Sequence, residues 1–182
     1  TANNALTLDN GSIVTSTTSE SLGRGGNVEL NVIGTVSLTN GASINSQSEI
    51  FSNGRAGDIT ITGRSLTMAN QAEISSSSLG NRADAGDAGN ITIQSGSTVL
   101  LKDSSITTEA REASGGRIEI NAPEMIQLTN SRISTSVRDG TGGGGNITID
   151  PQFVILQNSQ IIAQAFAGAG GAITITAASA FI

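Results

Sequence analysis

The stretch Gly57-Asp58-Ile59-Thr60-Ile61 decides the reading of this sequence, because it recurs. It returns as Gly26-Asn27-Val28-Glu29-Leu30, Gly89-Asn90-Ile91-Thr92-Ile93, Gly116-Arg117-Ile118-Glu119-Ile120, Gly145-Asn146-Ile147-Thr148-Ile149 and Gly171-Ala172-Ile173-Thr174-Ile175. The glycines are separated by steps of 31, 32, 27, 29 and 26 residues. Internal repetition at such a period is the mark of a solenoid. A spacing that drifts while the motif persists implies fixed strands joined by an elastic loop.

Two further elements keep phase with the anchor. An apolar-x-apolar-x-Asn pattern gives Leu6/Leu8/Asn10, Val36/Leu38/Asn40, Leu66/Met68/Asn70, Val99/Leu101/Asp103, Ile126/Leu128/Asn130 and Val154/Leu156/Asn158. Shortly after come Ile13, Ile44, Ile74, Ile106, Ile133 and Ile161, each followed two places later by Thr15, Ser46, Ser76, Thr108, Thr135 or Ala163. Alternation of apolar and polar residues is the period of a half-buried strand, and no helical stripe competes with it. The spacing predicts three short strands per repeat, almost no helix, and variable loops at 16–25, 47–56, 77–88, 109–115, 136–144 and 164–170.

Three strands of this length cannot bury their apolar sides alone. Winding them into coils lets each strand pair with its counterpart in the next coil. The expected fold is an all-β, right-handed parallel β-helix over residues 1–182 as one solenoid, with three sheets and six coils spanning about 29 Å at about 4.8 Å per coil. The handedness follows the crossover rule for parallel strands. The residues Asn10, Asn40, Asn70, Asp103, Asn130 and Asn158 then form one column at a corner, where Asn suits a left-handed backbone and can bond to its neighbours along the axis. A β-sandwich also uses many short strands, but it has no cause to repeat Asn at one phase.

Composition agrees. Cys, His, Trp and Tyr are absent and Phe occurs four times, as a narrow core of aliphatic ladders would favour. Without Cys or His, a zinc site, a thiol nucleophile and a histidine base are excluded. The net charge of −6 argues against nucleic acid as a partner. No apolar run approaches the roughly 18 residues of a membrane helix, and the opening residues are not expected to be a signal peptide. The lack of Cys is compatible with export and says no more about redox compartment.

The phrases Gly-Asn-Ile-Thr-Ile (Gly89–Ile93, Gly145–Ile149) and Leu-Thr-Leu-x-Asn-Gly-x-x-Ile, met in parts as Leu6–Gly11 and Asn40–Ile44, resemble the repeats of filamentous-haemagglutinin-like exoproteins, nearest in flavour to the cyanobacterial set, over roughly residues 5–176. The resemblance implies a right-handed β-helix, export through a partner outer-membrane barrel, and adhesion, aggregation or surface coating as roles. The Asn-Pro-Asn-Gly-type motif of that family's secretion domain has no match here, since neither Pro123 nor Pro151 lies in that context. The chain is therefore expected to be a segment of the shaft, and Thr1 in place of Met fits that expectation.

Sites of other kinds are expected to be absent. On the first strand the outward residues read Glu29, Thr60, Thr92, Glu119, Thr148 and Thr174. Its two carboxylates lie three coils or about 14 Å apart, beyond the roughly 9.5 Å limit for paired carboxylates in glycoside hydrolysis. No enzyme is expected on that ground. Asp58, Asp84, Asp87 and Asp139 are scattered through glycine-rich loops without the carboxylate density of a calcium site. The run Gly142–Gly145 is not followed by the Lys-Ser/Thr and helix of a phosphate loop. No cofactor is expected. The Thr-x-Thr pairs Thr60/Thr62 and Thr174/Thr176 suggest ice or crystal surfaces, but most coils lack the pair.

The expected function is a structural or adhesive shaft segment of a secreted or cell-surface exoprotein. Its partners would be flanking repeats or other copies of itself, with cell-surface glycans or matrix as further contacts. A polysaccharide-binding or polysaccharide-cleaving β-helix is the alternative, and an ice-binding protein the third. Contacts are expected through loop residues Phe51, Arg55, Arg82, Arg111, Arg138 and Phe166. In the last coils Ile155 and Ile162 fall at outward phases, and Met125, Phe153, Phe166 and Phe181 sit at corners, loops or the tail, so the C-terminal third is expected to carry the main apolar surface. Neither end shows a helical cap, which leaves strand edges open for axial stacking.

Overall fold

The computed structural model describes residues 4–18, 20 and 22–181, and places no helix among them. Thr1 and Ile182 lie outside these residues, and so does the side chain of Phe181. All strand pairing is parallel and links each coil to the next. The chain is a β-solenoid of six coils.

Each coil has three faces. Face one comprises Val28–Asn31, Ile59–Gly63, Ile91–Ser95, the first halves of Ile118–Thr129 and Ile147–Gln157, and Ile173–Ile175. Face two comprises Ala5–Asp9, Thr35–Thr39, Ser65–Ala69, Thr98–Lys102, the second halves of the same two long strands, and Ser179–Phe181. Face three comprises Ser12–Ser16, Ser43–Ser48, Glu73–Ser78, Ser105–Ala110, Arg132–Val137 and Gln160–Ala165.

Faces one and two are not separate sheets, as the repeat pattern alone suggests. They join into one sheet of 11 strands, beside a second of 6. The join comes from two strands that run through the corner, with a register shift between Ala122 and Met125. Met125 therefore sits within a strand rather than in a loop. The third strand also runs further than expected. In five coils it ends at Ser48, Ser78, Ala110, Val137 or Ala165. Those terminal residues are small enough to point inward near the loop, so the alternation holds for one more pair.

Like rests on like throughout. Val28, Ile59, Ile91, Ile118, Ile147 and Ile173 are successive register partners. Leu8, Leu38, Met68, Leu101, Leu128 and Leu156 form the matching ladder on face two. In the middle coils these residues are fully buried. Each such side chain contributes about 1.5–3 kcal/mol by leaving water. Together they supply a core without a single aromatic ring.

The anchor glycine has a steric cause. A Cβ on Gly57 would lie 2.2 Å from the carbonyl oxygen of Gly26, and one on Gly89 would lie 2.1 Å from that of Gly57. Gly116, Gly145 and Gly171 meet the preceding glycine at 1.9, 1.9 and 2.0 Å. The backbones of adjacent coils touch here, which leaves no volume for a side chain. Buried hydroxyls complete the contact. The Ser46 hydroxyl donates to Gly26 O at 3.0 Å and accepts from Gly57 N at 2.8 Å. Ser76 repeats this with Gly57 O and Gly89 N at 3.0 and 2.9 Å. Thr108 and Thr135 donate to Gly116 O and Gly145 O.

Candidate functional site: corner ladders, loop edge and a trough on face three

Asn10, Asn40, Asn70, Asp103, Asn130 and Asn158 occupy one corner column, all in the left-handed region with φ between 49° and 57°. Asn and Asp enter that region at least cost among residues with a Cβ. Asn70 donates from Nδ2 to Asn40 Oδ1 at 3.0 Å, Asn130 to Asp103 Oδ1 at 3.0 Å, and Asn158 to Asn130 Oδ1 at 2.9 Å. Asn40 turns to Asp9 Oδ1 at 2.7 Å instead. The column holds the corner.

A second ladder stands at the anchor. Asn27 Oδ1 accepts from Asp58 N, Asp58 Oδ1 from Asn90 N, Asn90 Oδ1 from Arg117 N, and Asn146 Oδ1 from Ala172 N, at 2.7–2.9 Å. The polar residue after each anchor glycine carries this signal in the sequence. In sequence, a polar residue at that place reads like any solvent-facing one.

The loop-edge arginines are largely engaged within the chain. Arg55 meets Asp58 at 2.9 Å, Arg111 meets Asp139 at 2.9 Å, and Arg138 meets Glu109 at 2.8 Å. The Arg82 guanidinium lies 5.9 Å from the centroid of the Phe51 ring. Arg111, Arg138 and Phe166 follow equivalent positions after the third strand and form one column. Arg55 lies apart from it, beside the anchor glycines.

The apolar outliers are not confined to the C-terminal third. Phe153 and Phe166 are exposed, Phe166 to 74%, whereas Ile155 and Ile162 are half-buried. Val14, Leu22 and Ile33 are exposed in the first coils. Ile173 and Ile175, inward residues of the last anchor, are 44% and 41% exposed. Leu6, Leu8 and Ile13 at the opposite end are only partly buried. Apolar surface thus collects at both axial ends, where a coil has a neighbour on one side only.

The side-chain pattern of face three makes a groove. Face one carries Glu29 and Glu119, three coils apart. On face three the outward residues are small in the fifth coil, Ser134 and Ser136, and larger in the fourth, Thr107 and Glu109, and the sixth, Ile162 and Gln164. Ser134 is 8% exposed although it points outward. The strand Arg132–Val137 therefore forms the floor of a trough of about 550 Å³. Glu73, Thr107, Glu109, Gln164 and Phe166 also line it, and Arg132 and Arg138 stand at the two ends of the floor.

Two depressions meet there. A neighbouring one of about 580 Å³ runs along the Asn corner and shares Glu73 and Arg132 with the first. Burial, with Glu109 nearby, raises the Glu73 carboxyl above its ordinary value of 4.5. Arg138 neutralises Glu109. Among the described residues no carboxylate pairs with Arg132. No group of three or more metal-ligating side chains occurs among the described residues.

Comparison of the chain with protein-family models, curated proteins and solved structures finds no match to any of them.

Proposed function

We propose that this chain is a rigid, non-catalytic shaft segment of an exported surface protein, one that holds its loops and faces at fixed positions for contact with cells or matrix. The reading is supported by one observation above others: every coil pairs in parallel with the last, like residue on like, with a single register shift between Ala122 and Met125. A solenoid of this kind carries load through backbone hydrogen bonds shared by all coils, and each coil needs its neighbours for a core. Ile173 and Ile175 pair in register with buried Ile147 and Ile149 and are themselves exposed, a surface that another copy of the chain can cover. The filamentous-haemagglutinin-like phrases in the repeats carry the adhesive part of the proposal.

The test is protease shaving of intact source cells followed by detection of this segment. Loss of the segment while a cytoplasmic marker survives is the expected result. Full retention in intact cells, with digestion only after lysis, overturns the surface assignment.

A further inference from the structure

We infer that the trough on face three is a binding site for a linear, carboxylate-bearing oligosaccharide. This inference stands apart from the shaft reading, since it rests on the trough alone. Shape comes first. From Arg132 to Arg138 the floor runs six residues, or about 20 Å at about 3.3 Å per residue. The neighbouring depression lengthens it toward the Asn corner through the shared Glu73 and Arg132. An extended channel of this kind suits a chain molecule. A volume of about 550 Å³ falls within the range of ordinary ligand sites.

Chemistry narrows the class. The hydroxyls of Thr107, Ser134 and Ser136 and the amide of Gln164 both donate and accept, as a polyhydroxylated ligand requires. Phe166 stands at the end of the floor with most of its ring in solvent, an apolar face against which a sugar ring can lie. An aliphatic or aromatic ligand would find too little apolar wall. Charge then selects among sugars. Glu109 is matched by Arg138 at 2.8 Å, so that pair presents no net charge. Among the described residues no carboxylate pairs with Arg132, and a guanidinium binds a carboxylate through two parallel N–H donors. Glu73 lines the trough two coils from Arg132, on the far side of Ser105.

The experiment titrates the whole chain with linear tetragalacturonate and, separately, with neutral cellotetraose, followed by calorimetry and by amide shifts of the face-three serines. Saturable binding of tetragalacturonate is expected. Arg132→Gln should weaken it by at least about tenfold, the loss of one charged hydrogen-bonded contact. Ser136→Phe, which fills the floor without changing charge, should abolish it, and Arg64→Gln, outside the trough, should leave it unchanged. Circular dichroism and the melting temperature of each variant separate lost binding from lost fold. Absence of saturation to roughly 10 mM, equal affinity for cellotetraose, or wild-type binding by both trough variants overturns the inference.

Discussion

Asn130 Nδ2 donates to Asp103 Oδ1 at 3.0 Å, and the Asp103 carboxylate has no N–H to pass on toward Asn70. The corner ladder is therefore two shorter ladders, Asn70 to Asn40 on one side and Asn158 to Asn130 to Asp103 on the other. Asp103→Asn should join them. Asn tolerates φ of 50° as well as Asp does, so the backbone is not disturbed. The gain should be about 0.5–1.5 kcal/mol, the worth of one hydrogen bond, read as a higher melting temperature. A melting temperature equal to or below the parent's would show that the ladder does not propagate.

Gly89→Ala brings a methyl to 2.1 Å from Gly57 O, and also to 2.6 Å from the Ser76 hydroxyl. Neither atom can retreat, because both are held between coils. The variant should lose about 3 kcal/mol or more, or fail to fold. Gly96→Ala is the control, with its nearest atom at 3.7 Å and no positive φ. It should change stability by less than about 0.5 kcal/mol. Chemical denaturation of the two variants side by side checks the pair.

Ser76→Ala removes a buried hydroxyl that bonds Gly57 O and Gly89 N together. The alanine fits the space, yet an amide and a carbonyl lose this partner in the core. A cost of about 1–3 kcal/mol follows. Ser76→Thr should recover part of it, since Thr108 and Thr135 serve the same column. Urea midpoints of the parent and both variants read this directly.

Glu73 gives the chain a pH dependence of defined sign. Its folded pKa is raised by burial first and by Glu109 second. The folded state therefore holds the proton more tightly than the unfolded chain does. The stabilising effect is present below 4.5 and is lost as pH rises through the higher folded value. Glu73→Gln, which cannot ionise, should be more stable relative to the parent at neutral pH than at pH of about 3. Denaturation midpoints at the two pH values test it, and a difference that does not change with pH would remove Glu73 as the cause.

Exposed inward residues at the ends should make the chain associate along its axis. Ile173 and Ile175 lack the covering strand that Ile147 and Ile149 have in Ile173–Ile175 itself. Sedimentation should show mass rising with concentration, and Ile175→Lys should suppress it. A single compact species at every concentration would show that the ends do not attract one another.

Much of the fold was legible from residues whose roles repeat. The anchor glycines, the leucines and isoleucines two apart and the corner asparagines each occupy a position that only stacking explains, and the observed register follows them residue for residue. The merging of faces one and two was not legible. It depends on Ala122–Met125 continuing as strand through a corner, and a loop of four residues would read the same way in the sequence. The further reach of the third strand was missed for a related reason: Ser48 and Ser78 are small and polar enough to pass for loop.

The amino-acid sequence by itself determined that this chain coils, how many coils it makes and which side chains form its core, because a period-2 pattern repeated at one phase has no other way to bury its apolar residues. Tertiary structure alone decided what lies outside. The trough exists because Ser134 and Ser136 fall between the bulkier side chains of two other coils, 27 to 28 residues away in either direction. Relief on an outer face is a difference between neighbouring coils, and a repeat, read one copy at a time, contains only what the coils share.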